Sequence, residues 1–467
     1  MTKVFPLSRT PTLRAPSPSR QLTALYSEFE KAFQIHNDGL ASSEELTRFN
    51  GNKLQPIHRW FSYKEGFSSL LLSTVCRLCN LKLDSIGAIL DPFTGVATSL
   101  LSAQLEYRGN EELKLVGIER NPFVASVART KLKWQSFDLH KIAKTIPKLV
   151  SRVQRRGQLK FDIPELSTLQ NEEVFHRRRL YDLIHARDLI NEFNLGQEID
   201  FFLLGWAATI ESASNVRKDG RALRFVNKDK RPPVYKLLES KWSQMLSDVR
   251  SASKVLANVK RGRVIAKVFE ADGRDLNVLS ASDTRFDLVL YSPPYLNNLD
   301  YSEVYKMELW LSGAIMSSSE FRRLRLQTLR SHPSVTFPET YLIDHLPTSA
   351  WCRRLRDALI NVLPNGRRLH ERTRTIRAYM DDMLVSLRNQ YLFTRPGAPV
   401  VCVIGNSVHG NKKRPIPIAT DLLIASVAQE AGFEIERLQV TRHTRRRDYR
   451  RRLLREGILI LRRPKDH

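Results

Sequence analysis

The sequence predicts an α/β protein: a doubly wound, mostly parallel sheet carrying a helical insertion and a second, variable insertion. From Ser85 the chain reads SIGAILDPFTGVATSLLSAQL, an apolar strand, a turn bearing Gly95 and a helical pattern. KLVGIERNPFVASVARTKL repeats that unit, with a strand at about 114–118, an acid at Glu119 and another helix. Successive strand–turn–helix units require crossover helices and therefore a parallel sheet. The rhythm stops near 135 and resumes at RVIAKVFEADGRDL, a strand ending at Asp272, and at RFDLVLYSPPY.

The remaining elements come in chain order. The first twenty residues hold four prolines and no acid, which reads as a disordered basic leader, since proline spoils the amphipathic helix of a transit peptide. Cys76 and Cys79 form a CxxC in the apolar setting SLLLSTVCRLCNL; without a second pair or a histidine pair they read as core packing on a helix face. Residues 135–260 are helical and basic, broken by the turn RKDGRALRF. Asp300 to Trp310 reads as helix, and 313–370 as irregular with an Arg-rich helix. A helix near 374–393, the strand PVVCVIGNSV, the helix ATDLLIASVAQEAGF and the strands EIERLQV and GILILRR complete the chain, the last two as an antiparallel pair closing the sheet.

The 467 residues carry 75 Lys plus Arg against 49 Asp plus Glu, a formal charge of +26, while 42% hydrophobic content argues for a folded body. So many cations gain from releasing condensed counterions, which favours a nucleic acid over a small acidic substrate. No apolar run is long enough to span a bilayer and no signal-peptide core is found, so the expectation is a soluble, cytoplasmic protein without a membrane partner.

The most specific signal is FDLVLYSPPYLNNLDY. Two prolines directly after a buried strand remove backbone donors and stiffen the turn, leaving carbonyl oxygens to face a ligand at the sheet's carboxyl edge. Ser292 Oγ and the Pro293 carbonyl can then accept hydrogen bonds from a base amino group, and Tyr295 offers a flat face to an extruded base. Read alone, the tetrapeptide is equally a strand terminator followed by a packing tyrosine. Two further features bear on it: a Gly-containing loop, DPFTGVATS, after the first strand, and the acids Glu119 and Asp272 after successive strands, each of which alone reads also as a solvated turn acid.

SPPY after a strand, with DPFTG upstream, resembles the amino-group (cytosine-N4 / adenine-N6 type) S-adenosylmethionine-dependent DNA methyltransferases, whose catalytic motif is (Asp/Asn/Ser)-Pro-Pro-(Tyr/Phe). The resemblance implies a Rossmann-like class I methyltransferase sheet, S-adenosyl-L-methionine as cofactor and a target-amine role for Ser292, Pro293, Pro294 and Tyr295. The serine form is similar to the cytosine-N4 enzymes, so cytosine N4 is preferred over adenine N6. Asp91, Phe93 and Gly95 match the cofactor loop, with Ala97 where the family usually has a second glycine. Glu119 matches the acid that takes the ribose hydroxyls, and Asp272 the acid on the adenine amino group. PIHRWFSYKEGFSSLL resembles the cofactor-capping segment, with Ser62, Lys64 and Gly66 as polar contacts; Trp60, Phe61 and Phe67 read equally as a buried cluster.

On this basis the chain divides into a basic, partly disordered segment (1–50), a cofactor-binding part (51–134), a helical basic insertion (135–261), a catalytic part (262–312), a variable insertion with a target-recognition role (313–372) and a C-terminal part (373–467). The loop TRHTRRRDYRRRLLR holds eight arginines and one acid. Either it is a solvated charge run or Arg442, Arg445, Arg446, Arg447, Arg450 and Arg451 meet phosphates, the reading preferred here. The partner is then duplex DNA with one base flipped out, in a restriction–modification setting, with RNA as the alternative. Methylation at cytosine carbon 5 needs a cysteine nucleophile, and no cysteine follows a proline at a strand end. An exocyclic amine attacks a sulfonium methyl directly, so no metal is expected. The alternatives are a guanine-N2 RNA methyltransferase and a nucleic-acid-binding protein on a degenerate methyltransferase fold.

Overall fold

The computed structural model describes residues 18–37, 43–155, 167–219, 222–226, 231–280, 283–297, 299–333, 341–363, 367–410, 415–444 and 453–466. Its strands run in chain order as β1 (Ile35–His36), β2 (Ala88–Asp91), β3 (Leu113–Glu119), β4 (Val216–Asp219), β5 (Ala222–Phe225), β6 (Val264–Glu270), β7 (Leu288–Tyr291), β8 (Pro399–Gly405), β9 (Ser407–Gly410), β10 (Pro415–Ile418), β11 (Glu434–His443) and β12 (Arg455–Arg462). Eight of them form one sheet in the order β1-β11-β12-β8-β7-β2-β3-β6, while β4 with β5 and β9 with β10 form separate hairpins. Neighbours in the large sheet are parallel except at β12, which is antiparallel to both β11 and β8. The doubly wound α/β class read from the sequence is therefore the observed one.

The central strands are apolar on both faces because helices cover both. Alternate residues of one strand go to opposite layers: Ile89, Leu288, Leu290, Val401 and Val403 pack into one core with the helices Thr98–Glu106 and Pro122–Leu132 and the helices of the first insertion. Leu90, Val289, Tyr291, Val400 and Cys402 pack into the other with the helices Pro18–Ala32, Trp351–Asn361, Arg367–Phe393 and Thr420–Glu430. From β2 the chain builds outward through β3 and β6, then returns to β7 beside β2 and builds the other way through β8. A sheet that reverses like this opens a crevice at the carboxyl ends of the strands flanking the reversal.

Several elements depart from the sequence reading. Residues 18–36, inside the segment expected to be partly disordered, form a helix and the edge strand β1, which pairs in parallel with β11. The helix buries Leu22, Tyr26, Phe29 and Glu30, one face at helical spacing. The turn RKDGRALRF is the β4–β5 hairpin. PVVCVIGNSV divides after Gly405 into β8 and β9, and the stretch from Asp300 is two short helices, Tyr301–Val304 and Lys306–Leu311. Strand β11 runs on to His443, three residues beyond the predicted end. Cys76 and Cys79 are buried in the core. No helix among the described residues is long and apolar enough to cross a membrane.

Candidate active site

At the carboxyl ends of β2, β3 and β7 lies a cleft of about 550 Å³, within the size range of small-molecule and cofactor sites. Ser292, Pro293, Pro294 and Tyr295 line it, as do Ser62, Lys64, Gly66, Phe93, Gly95, Glu119 and Asp272. Residues predicted from five separate stretches of sequence thus share one wall system.

The loop after β2 is built around two acids. Asp91, expected at the cofactor, instead sits beneath the loop: it is 1% exposed, its carboxylate accepts the Phe93 N–H at 3.1 Å and the Ser99 hydroxyl, and it is not among the lining residues. Its role is to shape the turn, because a carboxylate buried there must be satisfied by the loop's own donors. Burial pushes its carboxyl up to about 7. Glu119, at the end of β3, accepts the Gly95 N–H at 2.9 Å and the Asn121 N–H at 2.8 Å, tying this loop to the next. Burial raises its carboxyl to about 7, against the pull of those N–H groups. Gly95 has φ +53, a backbone region that favours glycine, and a Cβ there would stand 3.0 Å from the Tyr63 ring. Ala97 takes φ 62 and ψ 38, also left-handed, a conformation that costs a residue other than glycine about 1 kcal/mol.

The segment 56–71 meets the cleft through aromatic residues as well as through the polar ones singled out in the sequence. Tyr63 lies over Gly95 and stacks on Tyr305, with centroids 5.2 Å apart and planes 16° apart. The Tyr305 hydroxyl donates to Glu65, whose carboxyl burial pushes up. Lys218 of β4 lies 4.4 Å from the Tyr305 centroid and pairs with buried Glu308, which fixes the first insertion's hairpin to this wall; Arg217 beside it lines the cleft. Trp60 belongs to the core, its indole N–H donating to Asp248 at 3.2 Å. Phe61 packs at 5.4 Å from Phe123, and Phe67 lines the cleft.

After β7, Ser292 Oγ lies 3.0 Å from the Val403 carbonyl, to which it donates, and 3.2 Å from Tyr295 Oη. The single serine proton is thereby committed to a strand carbonyl, and the oxygen is left to act as an acceptor. The Tyr295 N–H donates to the Tyr301 hydroxyl at 3.2 Å, and its ring packs on Gly405, where a Cβ would come within 2.8 Å of ring carbon Cε2. Burial, and next the charge of Glu456, hold the Tyr295 hydroxyl well above the ordinary tyrosine range. Asp272 stands two residues past the end of β6, gripped by Arg274.

Sequence reasoning missed Tyr63, Tyr301, Tyr305, Gly405, Arg217 and the run Gln327–His332, of which Arg330 is the one member off the cleft wall. Tyr301 and Tyr305 are four apart just after SPPY, a spacing that places two rings on one side of a helical segment. Gly405 ends an otherwise apolar strand, a mark of close approach. Of the arginines assigned to nucleic acid, Arg442 lies in β11, paired with Glu456 at 2.6 Å and bonded to Thr47, on the cleft wall rather than in a loop. Arg455, from the same charge run, is a core residue. Arg445, Arg446, Arg447, Arg450 and Arg451 lie outside the described residues.

Fold and cleft together define a doubly wound α/β protein with a cofactor-sized cleft at the carboxyl edge of its sheet. No family model matches the chain. Its sequence is similar to the Type II methyltransferase M.AvaI of Nostoc sp. and of Anabaena variabilis, 24% identical over 449 residues that span 90% of this chain and 88% of each relative. It is also similar to the Type II methyltransferase M.BsoBI of Geobacillus stearothermophilus, 22% identical over 444 residues, 87% of this chain and 84% of the relative. Among solved structures, the rRNA methyltransferase aviRa from Streptomyces viridochromogenes matches over 85% of both chains at 10% identity, with a TM-score of 0.26.

Proposed function

We propose that this protein is an S-adenosylmethionine-dependent DNA methyltransferase that methylates an exocyclic amino group, cytosine N4, in duplex DNA. The observation that carries this reading is the meeting of the SPPY turn and the Gly95–Glu119 loop in one cleft at adjacent strands β7 and β2, in a chain similar along most of its length to Type II methyltransferases.

The cleft suits the cofactor. Glu119 accepts two loop N–H groups and retains lone pairs for ribose hydroxyls; Gly95 admits close approach under the Tyr63 ring; Asp272 offers a carboxylate to an adenine amino group. When bound, S-adenosylmethionine supplies an electrophilic methyl group. On the target side, Ser292 Oγ, its proton turned to Val403, accepts from the base amine, and the stiff Pro293–Pro294 turn presents a second acceptor, the Pro293 carbonyl. Together they direct the nitrogen lone pair, and orientation of this kind accounts for much of the rate when no strong base is needed. Tyr295, braced by Gly405 and Tyr301, gives the extruded base a face to stack on. The arginines between β11 and β12 and the +26 charge favour contact with the phosphate backbone.

The test is mass spectrometry of nucleosides from the DNA of cells expressing the wild type or Tyr295→Ala. N4-methylcytosine is expected with the wild type alone. N6-methyladenine would replace the base assignment, and methylated RNA bases with unmodified DNA would overturn the reading.

A further inference from the structure

The second insertion, expected from the sequence to recognise the target, supplies a wall of the cleft: Gln327, Thr328, Leu329, Ser331 and His332 line it. Arg330 stands among them, yet its side chain is committed to the helix Arg367–Phe393. Its Nε and Nη2 donate to Asp382 Oδ1 at 3.0 and 2.7 Å, Nη2 also meets Asp381 Oδ2 at 3.0 Å, and its backbone N–H donates to Asp382 Oδ2 at 2.8 Å. Asp382 in turn accepts Arg274 Nη1 at 2.9 Å. Arg274 spends its other nitrogens on Asp272, with Nε 3.0 and 3.1 Å from the two carboxylate oxygens and Nη2 2.6 Å from Oδ2. The same helix fixes the backbone of this turn, Asn389 donating to the Arg274 carbonyl at 2.6 Å and Ser386 to the Gly273 carbonyl at 3.0 Å. A chain of charge-assisted hydrogen bonds therefore runs from the second insertion to a carboxylate on the cleft.

We propose that Arg330 is a positioning residue for cofactor binding, acting on Asp272 through Asp382 and Arg274, so that the second insertion sets how tightly the cleft holds S-adenosylmethionine. This rests on the cleft being the cofactor site. The side chains of Asp382 and Asp381 are 3% and 6% exposed, so neither tolerates loss of its cation. Without the Arg330 guanidinium, Asp382 keeps the backbone N–H and Arg274. Arg274 is then drawn toward the two buried carboxylates, and the fork that orients Asp272 opens.

The experiment is calorimetric titration of the full chain with S-adenosylmethionine and with S-adenosylhomocysteine, together with steady-state kinetics. Arg330→Gln is expected to weaken both ligands about tenfold, the equivalent of losing one hydrogen bond to a charged group. Arg330→Lys, which keeps the charge without the fork, falls between and serves alone if the glutamine variant does not fold. The loss should appear in the cofactor KM, with kcat at saturating cofactor held within about twofold. In an Asp272→Asn background Arg330→Gln should add less than about twofold, because the two changes act along one path. Wild-type affinity in both Arg330 variants, or a full additive loss on top of Asp272→Asn, overturns the proposal alone. A wild type that binds neither ligand overturns the cofactor reading and the proposal with it.

Discussion

Lys131 is 1% exposed, and its Nζ donates to the His58 carbonyl at 3.0 Å and lies 5.9 Å from the centre of the Phe49 ring. Burial, and after it the charge of Lys241, push its amine down to about 7, while burial and Lys131 push His58 down to about 3. In the unfolded chain a lysine keeps its proton up to about pH 10.4. Between that pH and about 7 the unfolded chain therefore holds a proton that the folded chain does not, so stability falls as pH is lowered through this window and levels off below it. Lys131→Met removes the penalty: the variant is expected to be more stable at pH 7 by on the order of a few kcal/mol, with the gain fading toward pH 10. Urea titrations of both proteins at pH 7, 8.5 and 10 measure it, and parallel curves across that range would refute it. Other single residues were only partly legible. Ser62 and Lys64 could be singled out because polar side chains declare their chemistry, whereas Tyr63 between them acts through where its ring falls, over Gly95, which only the tertiary structure decides.

At the scale of elements, apolar strands and their acidic ends could be read because burial on both faces leaves a continuous apolar run and the carboxyl edge is where function gathers. The end of β11 was not legible. Thr441, Arg442 and His443 look like loop, yet they belong to β11, where Arg442 and His443 pair with β12, and Arg442 is neutralised by Glu456, a partner fourteen residues away that obeys no local rule. The meeting of β8 with the SPPY turn is a second case. The Val403 carbonyl accepts the Ser292 hydroxyl and Gly405 leaves room for the Tyr295 ring, so the end of one strand sets both ends of the SPPY tetrapeptide. Gly405→Ala places a methyl 2.8 Å from Tyr295 Cε2, closer than atoms tolerate, and the ring must move. Misplacement on the order of 1 Å costs roughly 100-fold in rate. The expected result is a loss of that size in single-turnover methyl transfer to duplex DNA, with calorimetric cofactor affinity unchanged. Equal turnover would mean that the ring is not braced by this strand.

At the scale of the whole molecule, the Pro/Ser/Arg-rich start of the chain masks a helix that the fold depends on. Leu22, Tyr26 and Phe29 lie at helical spacing, and the helix Pro18–Ala32 packs them against the second core. It is also held by charge. Arg455, 1% exposed, donates through Nε to Asp421 at 2.6 Å and through Nη1 to Glu30, joining the first described helix, the helix Thr420–Glu430 and β12. Such a link between residues 30 and 455 has no local sequence signature. In composition Arg455 is one more member of an arginine run, and its burial is decided by the tertiary structure alone. Removing Glu30 leaves buried Arg455 with Asp421 alone, and the loss of one hydrogen bond to a buried charged group costs about 2 kcal/mol or more. Glu30→Ala is therefore expected to destabilise the folded protein by about that amount. Glu28→Ala, two residues earlier, is the matched control: Glu28 meets Arg354 at 3.2 Å on the half-exposed surface, where such a pair contributes under about 1 kcal/mol. Thermal unfolding of the two variants separates them. A Glu30→Ala protein melting no lower than the Glu28→Ala protein would show that the sheet stands without the helix, whereas the larger loss makes residues 18–36 part of the cooperative fold that carries the cleft.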